Sequence, residues 1–412
     1  MKTINFMKSV SLYKELGLNS GKLKKVFLII LSLFVMQGCS SDDNGEVVVV
    51  ILDLDPIALE CDYFSVDRIL NDDPDRPVDY VISCVAKIDG IVVINAGVVI
   101  EFEDDAGIEV RNGTLTVQGT SLKKVIFTGV NKVKGSWRGI FFLSPSVNNK
   151  LDHAVVSYGG GNSFNSNNDR GNVICYSGTK VSITNSELSY GKEHGLNAIY
   201  GSDFLDFSNN IITNNDKYPV ISLNIHGHNF GGTNSFVGNG MDYVFLKGGS
   251  FIGDNRFWDK IDVPYLIDGN NKIGDNQSLT IEAGAELRFE DDSEITVQGG
   301  GYLAIEGTAT DRVLLSGVVE QSGSWLGIIN LSDDQRNIIN YAEIAYAGGG
   351  PHNSNGDLGT IIVWAQSYQT VTNTIMRDNA PDAPCAINAK QSAVINLVNN
   401  SIINIENELC EI

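Results

Sequence analysis

The chain contains little proline and few basic residues. Of its 412 residues only 9 are proline, 29 are lysine or arginine and 5 are histidine, whereas 50 are aspartate or glutamate. The net charge of −21 argues against nucleic acid or an anionic lipid surface as partner, because both are negatively charged. It also weighs against a polyanionic glycan, unless a local basic patch or bound calcium reverses the local field.

Several structural signals are missing from most of the chain. Beyond Val35 no apolar run is long enough to cross a membrane. No sustained helical stripe of apolar residues occurs there either, which excludes an all-helical fold. The sequence has no Cys-x-x-Cys pair, so zinc binding by cysteine is not expected.

The N-terminus has the pattern of an export signal. Basic residues within 22–25 precede the apolar run 26–35, which predicts a secretory signal peptide over 1–38. The run ends in Met-Gln-Gly-Cys39, which resembles a bacterial lipobox and implies that Cys39 is lipidated. The Ser-Ser-Asp-Asp-Asn that follows, within an acidic tether over 39–46, resembles a Bacteroidota-type surface-export signal. An ordinary signal peptide with an incidental cysteine is the alternative.

The remainder of the chain contains a duplication. One copy starts near residue 96 with AGVVIEFEDDAGIEV and the other near residue 283 with AGAELRFEDDSEITV. The motif GSWRGI from Gly135 matches GSWLGI from Gly323. Four further pairs are each 188 residues apart: Trp137 with Trp325, Tyr158 with Tyr346, Asp169 with Asp357, and Asn185 with Asn373. So many landmarks at one offset indicate a true internal repeat.

A shorter period runs inside each copy. Short β-branched segments alternate with Gly, Asn and Ser turns: Val98–Phe102, Thr114–Val117, Val125–Thr128 and Ile140–Leu143. Asn recurs before an apolar pair in steps of 24, 25 and 21 residues: Asn185, Asn209, Asn234 and Asn255. A period in the twenties is typical of solenoids, so the offset predicts about eight coils of 23.5 residues. Coils stacked about 4.8 Å apart would align these Asn side chains in a hydrogen-bonded ladder.

The GSW-x-GI and YGGG landmarks resemble those of uncharacterised secreted members of the pectate-lyase-like superfamily. The resemblance implies an all-β fold, a right-handed parallel β-helix over residues 78–412, with 47–77 as its N-terminal cap. That superfamily includes lyases, hydrolases and adhesins, so the likeness fixes the fold and leaves the function open. A leucine-rich repeat would need a Leu-x-x-Leu-x-Leu pattern, which the chain lacks.

Cysteine spacing predicts two disulfides. Cys61 and Cys84 are 23 residues apart and Cys385 and Cys410 are 25 apart, which is one coil in each case. Adjacent coils bring such residues within disulfide range. Cys175 remains as a buried thiol.

Catalytic signatures are weak. A β-helix lyase needs a basic residue, and the candidates are Arg138, Arg170, Lys180, Lys192, Lys217 and Lys247, none in clear register with a carboxylate cluster. A polygalacturonase-type hydrolase needs an Arg-x-Lys, which is absent. His226 and His228 would share one face of a strand and could clamp a metal, although a surface pair is the alternative. His194 is predicted at a turn.

Two equivalent polar loops are the most suggestive ligand sites. One follows the YGGG segment and the other the YAGGG segment, and both end in Asp. Their candidate ligands are Asn162, Asn165, Asn167 and Asp169 in one loop and His352, Asn353, Asn355 and Asp357 in the other. Carboxylates and amide oxygens suit Ca²⁺, so calcium is the one cofactor considered. A plain Asn/Gly turn without a ligand is the alternative.

The four tryptophans are predicted to lie in the core. They are Trp137, Trp258, Trp325 and Trp364. If their faces were exposed, they would instead form sugar-stacking platforms.

These patterns lead to a hypothesis about function. We expect a monomeric outer-membrane lipoprotein, exposed at the cell surface, that binds a polysaccharide or another surface partner without catalysis. A polysaccharide lyase or glycoside hydrolase with an unrecognised site is one alternative, and a structural or adhesive spacer is another. A cleft combining basic residues with clustered carboxylates would favour an enzyme, whereas a face with exposed aromatic residues would favour binding.

Overall fold

Short β-branched and aromatic segments form strands, and Gly, Asn and Asp residues form the turns between them. In the computed structural model of the chain, residues 53–351 and 356–411 are described. The signal peptide, Cys39 and the 39–46 tether lie outside these residues. Two short 3₁₀ segments, Tyr63–Ser65 and Asn224–Asn229, interrupt the strands.

The strands are, in chain order, β1 (Ile57–Leu59), β2 (Arg68–Leu70), β3 (Tyr80–Ile82), β4 (Val85–Ile88), β5 (Ile91–Asn95), β6 (Val99–Phe102), β7 (Gly107–Val110), β8 (Thr114–Gln118), β9 (Val125–Gly129), β10 (Ile140–Phe142), β11 (Lys150–Asp152), β12 (Ala154–Ser157), β13 (Gly171–Cys175), β14 (Lys180–Thr184), β15 (Glu187–Ser189), β16 (His194–Ala198), β17 (Asp203–Ser208), β18 (Ile211–Thr213) and β19 (Val220–Leu223). They continue with β20 (Val244–Lys247), β21 (Arg256–Trp258), β22 (Tyr265–Asp268), β23 (Asn270–Ile273), β24 (Ser278–Glu282), β25 (Glu286–Phe289), β26 (Glu294–Gly299), β27 (Tyr302–Glu306), β28 (Val313–Gly317), β29 (Gly327–Ser332), β30 (Ile338–Asn340), β31 (Ala342–Ala345), β32 (Ile361–Val363), β33 (Tyr368–Thr372), β34 (Ile375–Arg377), β35 (Cys385–Ala389), β36 (Val394–Val398), β37 (Ser401–Ile403) and β38 (Asn407–Glu411).

These strands stack into long parallel sheets, and each strand pairs with strands about one coil earlier and later in the chain. Sheet I is β1-β3-β6-β9-β12-β15-β18, and sheet II runs the length of the stack as β4-β7-β10-β13-β16-β19-β20-β22-β25-β28-β31-β34-β37. Sheet III is β2-β5-β8-β11-β14-β17, sheet IV is β21-β24-β27-β30-β33-β36, and sheet V is β23-β26-β29-β32-β35-β38. The all-β parallel β-helix predicted from the sequence is confirmed.

Coiling begins earlier than the predicted boundary at residue 78. Strand β1 pairs with β3, and β2 pairs with β5, so both belong to the sheets although they lie in the 47–77 segment predicted to be a cap. Phe64, in the first 3₁₀ segment, is fully buried and joins the continuous core. This part of the chain therefore supplies both the first coil and an aromatic side chain that fills its interior.

The interior is a continuous column of apolar side chains. Trp137 stacks on Phe102 with ring centroids 4.1 Å apart, and its indole N–H donates to the Ser157 carbonyl at 2.7 Å. In the second copy Trp325 stacks on Phe289 at the same 4.1 Å. Trp137, Trp258 and Trp325 are fully buried, as predicted. Stacked aromatic pairs add to the stabilisation that burial alone provides.

The two copies occupy different faces of the β-helix. Strand β7 lies in sheet II, whereas its sequence equivalent β26 lies in sheet V. Seven steps along sheet II lead from β7 to β25, and β26 is the next strand of the chain. The 187-residue offset from Gly107 to Glu294 thus spans about seven and a third coils of about 25 residues, not eight coils of 23.5. The second copy is turned by one face relative to the first.

The asparagine ladder contains the predicted Asn234, but Asn185 and Asn209 do not belong to it. Asn185 and Asn209 adopt the left-handed conformation, with φ of 53° and 56°, and form turns. The buried ladder includes the next residue along, because Asn210 accepts from the Ser186 N–H at 3.0 Å and donates to the Ile183 carbonyl at 2.7 Å. Asn234 continues it by accepting from the Asn210 N–H at 3.0 Å. A turn and a ladder position are adjacent, and both favour Asn.

We expect Asn210→Ala to destabilise the protein by about 2 to 5 kcal/mol, because it leaves one buried N–H and one buried C=O without partners. The neighbouring Asn209→Gly is the matched control. Asn209 is exposed and needs only a positive φ, which glycine adopts freely, so its effect should stay below about 1 kcal/mol. Urea denaturation of both variants measures the difference, and equal effects would contradict the assignment of the ladder.

Both disulfides expected from the spacing are present. The Cα atoms are 5.9 Å apart in Cys61–Cys84 and 5.8 Å apart in Cys385–Cys410. They link neighbouring coils near the two ends of the described stack, where each coil has a neighbour on only one side. Cys175 is a fully buried free thiol in β13.

Protein lacking residues 1–45 should contain one alkylatable thiol. Cys175 should not react in the native state, because it is inaccessible and burial raises the pKa of its thiol. It should react once after denaturation without reductant, as measured by intact mass. Two or more modified thiols in the denatured, unreduced protein would be incompatible with the observed pairing.

Candidate functional site

A row of outward-facing side chains runs along sheet II. The strand register places these residues opposite one another: Glu109, Phe141, Ile174, Asn197, Ile221, Phe245 and Leu266. Their strand neighbours, such as Ile140 and Phe142, belong to the internal core, so alternation directs this row outward. Even so, Phe141 is only 3% exposed, Ile174 1% and Leu266 2%. The row therefore forms the covered floor of a groove.

Aromatic side chains border this floor in the first copy. The Phe141 ring lies 5.3 Å from Phe164, which belongs to the 162–170 loop, and 6.0 Å from Tyr176. Tyr176 in turn lies 4.8 Å from Tyr200, which is 37% exposed. The loop thus folds back over the sheet, and Tyr200 presents aromatic surface to solvent.

The second copy repeats the groove on sheet V. Thr296, Ile329, Ile362 and Asn388 are in register there and correspond to Glu109, Phe141, Ile174 and Asn197 of the first copy. A cavity of about 250 Å³ lies over the first three of them and is lined by Asn270, Glu294, Thr296, Gln298, Ile329, Leu331, Ile362 and Trp364. The side-chain oxygens of Asn270 and Asn388 are buried and have no hydrogen-bond partner.

Trp364 borders this cavity, and its predicted place in the core is wrong. It is partly exposed and follows Val363, which points into the core, so alternation directs Trp364 outward. Its position is equivalent to that of Tyr176 in the first copy. The Lys390 ammonium lies 5.3 Å from the ring centroid. Strand alternation from the buried Ile361–Val363 segment was the signal that could have placed Trp364 correctly.

A second kind of cleft lies at the GSWRG turn of the first copy. It has a volume of about 430 Å³ and combines carboxylates with basic side chains: Asp104, Asp105, Lys134, Arg170 and Lys192 are among its lining residues. Sequence spacing predicted no pair of candidate bases beside a carboxylate cluster. In the folded chain, however, Arg170 and Lys192 line the same cleft as Asp104 and Asp105. The two basic residues belong to different coils, so the repeat period of the sequence does not show that they line one cleft.

The Asp105 carboxylate of this cleft is held as an anion. Partial burial would raise the pKa of Asp105, but hydrogen bonds from Arg138 and Asn162 outweigh it and the pKa is lowered. Arg138 Nη2 lies 2.7 Å from Asp105 Oδ2, and Asn162 Nδ2 lies 2.9 Å from Oδ1. Asp104 accepts from Asn131 at 2.9 Å. A carboxyl group with a lowered pKa is a poor general acid.

The first polar loop is closed on itself. Asn165 Nδ2 donates to Asp169 Oδ2 at 2.7 Å, and Asn165 Oδ1 accepts from the Asn167 N–H at 3.1 Å. Tyr200 also hydrogen-bonds to Asp169. Asn162, by contrast, faces Asp105 in the cleft. The predicted ligands therefore separate, and Asp169 is engaged by protein donors.

The second polar loop is described only in part. His352, Asn353 and Asn355 lie outside the described residues. Asp357 is buried, and its Oδ1 accepts from Lys390 Nζ at 2.6 Å. Within residues 53–351 and 356–411 no group of three or more His, Cys, Asp or Glu side chains is arranged to hold a metal ion. The geometry does not support calcium at Asp169 or Asp357.

The histidines do not form the predicted metal clamp. His226 and His228 lie in the 3₁₀ segment Asn224–Asn229, not on a strand. Burial lowers the pKa of each to about 4, and His228 Nε2 lies 2.7 Å from Arg256 Nη1. His194 begins strand β16 rather than a turn, and it stacks on Tyr218 with centroids 5.7 Å apart. Burial lowers its pKa to about 4 as well, so all three rings are neutral near pH 7.

No protein-family model, no curated protein and no solved structure matches this chain. In the part of the chain that the structure describes, no helix is both long and apolar enough to span a bilayer.

We expect the melting temperature to be the same in 5 mM calcium and in EDTA. A calcium ion would have to displace the Asn165 amide from Asp169 or the Lys390 ammonium from Asp357, and both contacts are already at hydrogen-bond distance. Thermal denaturation with and without the metal tests this. A calcium-dependent rise that Asp169→Asn or Asp357→Asn abolishes would restore the loop as a metal site.

Proposed function

We propose that this protein is a surface lipoprotein that binds a glycan on the outer faces of its β-helix without cleaving it. The observation that carries the proposal is the groove on sheet V, whose lining contains both a partly exposed tryptophan and Asn270, the buried amide oxygen of which has no hydrogen-bond partner. Protein surfaces rarely leave buried polar atoms unpaired unless a ligand or water completes them.

The groove has the chemistry that sugars need. The Trp364 ring offers an apolar platform for the C–H face of a pyranose, with Ile329 and Ile362 as the floor. The side-chain oxygen of Asn270 can accept a hydrogen bond from a sugar hydroxyl. Tyr176 and Tyr200 supply a related aromatic border on sheet II in the first copy.

The anchor and the family remain part of the proposal. Lipidation of Cys39 would attach the solenoid to the outer membrane, and the acidic tether 39–46 would direct it to the cell surface. Membership of the pectate-lyase-like superfamily is supported by the parallel β-helix, by the repeated GSW-x-GI landmark and by the related YGGG and YAGGG segments. We further propose that the protein is a monomer and does not bind nucleic acid, in keeping with its charge of −21.

An enzyme is the second candidate, and one observation favours it. The cleft at the GSWRG turn combines Lys134, Arg170 and Lys192 with two aspartates, as a polysaccharide lyase or hydrolase would require. It ranks second because the pKa of Asp105 is lowered, which does not suit the general acid of a glycosidase. A purely structural spacer ranks third, since it gives no reason for an unpaired buried amide in the same cavity as a partly exposed tryptophan.

We expect Trp364→Ala to weaken glycan binding at least about tenfold, because stacking on the indole face would be lost. Protein lacking residues 1–45 is screened by affinity electrophoresis against neutral and acidic polysaccharides, and the variant is compared on whichever one is retained. Phe257→Ala is the matched control, because Phe257 is 42% exposed but lies outside the groove.

Two results would contradict this proposal. Binding that Trp364→Ala leaves intact would remove the groove as the site. Release of unsaturated products absorbing in the ultraviolet would show that the protein is a lyase instead.

A further inference from the structure

The internal duplication places two equivalent clefts in the molecule. The first is the mixed-charge cleft at the GSWRG turn, and the second lies at GSWLG, has a volume of about 370 Å³ and is lined by Asp291, Asp292 and Ser322 among others. The close contacts match as well. Gly135 packs against Lys192 in the first cleft, and Gly323 packs against Ala380, the equivalent residue, in the second. The two clefts therefore share one backbone design.

The clefts differ in their cations. The basic residues Lys134, Arg138, Arg170 and Lys192 of the first copy correspond to Ser322, Leu326, Leu358 and Ala380 in the second. The aspartates, by contrast, are retained as Asp291 and Asp292. All four cations thus occur only in the first copy, where Lys134, Arg170 and Lys192 line the cleft and Arg138 pairs with its Asp105.

Two of these cations lack a partner. Lys134 pairs with Asp216 at 2.6 Å and Arg138 pairs with Asp105 at 2.7 Å. The side chains of Arg170 and Lys192 make no ion pair or hydrogen bond with any described residue, and Arg170 Nε is buried without a partner. A buried guanidinium N–H without an acceptor is costly, so an acceptor supplied by a ligand would stabilise it.

We infer that the first-copy cleft binds an anionic oxygen group of a ligand, either a carboxylate, a sulfate or a phosphate, between Arg170 and Lys192. Arg138 and Asn162 already donate hydrogen bonds to the Asp105 carboxylate. Because that carboxylate is satisfied, Arg170 and Lys192 remain available to bind the anion of a ligand. A guanidinium and an ammonium on one anion form charge-assisted hydrogen bonds, which are stronger than neutral ones. The second-copy cleft has aspartates but no cation and should bind none of these anions.

This site goes beyond the proposed glycan groove, with which it shares no residue. It also accounts for how a protein of charge −21 could accept an acidic ligand, since the local field in the cleft differs from that of the whole surface. The three anion types share one recognition chemistry, and separate titrations distinguish them.

The test titrates full-length protein in detergent with sodium sulfate, sodium phosphate and sodium glucuronate, using calorimetry at constant ionic strength maintained with chloride. We expect one saturable site for at least one anion. Lys192→Ala and Arg170→Leu should each weaken it at least about tenfold. Both substitutions copy the equivalent residue of the second copy, Ala380 or Leu358, so the shared backbone already accommodates them. Lys124→Ala, which removes a half-buried lysine outside the cleft, should change the affinity less than twofold.

The proposal is overturned if none of the three anions binds saturably, or if binding survives both substitutions. An equal loss in Lys124→Ala would also overturn it, because the effect would then reflect net charge alone. Trp364→Ala should leave anion binding unchanged, so failure of the anion site and failure of the glycan groove are separable.

Discussion

Parallel pairing between successive coils is the constraint on which the rest of the structure depends. Each strand satisfies its backbone groups through the coil before and the coil after, about 4.8 Å away. Side chains in register therefore repeat along the stack, and any position becomes a row. Inward rows form the apolar column that contains Trp137 and Trp325. Outward rows form long grooves, of which the one containing Phe141 and Ile174 is an example.

Buried amides make this stacking specific. Asn210 bonds to the backbone of the coil before it and is itself bonded by Asn234 of the coil after it. A shift of one residue would leave these polar groups unpaired in the interior, at a cost of several kcal/mol. The ladder thus fixes the register, while the apolar column contributes most of the driving force.

The duplication gave the protein two copies of each surface feature, and the copies have diverged. The groove keeps an aromatic residue in both, Tyr176 in one and Trp364 in the other. The GSW cleft keeps its aspartates in both but has basic residues only in the first. Because the second copy is turned by one face, equivalent features do not align along one side of the solenoid. Divergence on separate faces lets each copy change without disturbing the other.

The sequence by itself determined the solenoid, its duplication and the cysteine pairing. These follow from local alternation and from residues one coil apart, such as Cys61 and Cys84, which the period alone brings together. The sequence also predicted the burial of Trp137, because this residue lies in a GSW turn directly before an apolar strand that faces the core.

Only the tertiary structure decided which side chains meet across coils of unequal length. It turned Trp364 outward, moved His226 and His228 off a strand, and separated Asn162 from Asp169. It also brought Arg170 and Lys192 beside Asp104, although 66 residues separate Asp104 from Arg170 in the chain. The physical reason is that turn length varies from coil to coil while strand register does not. Linear spacing therefore specifies the rows within the sheets but not the contacts between the turns, and the turns form the mixed-charge cleft.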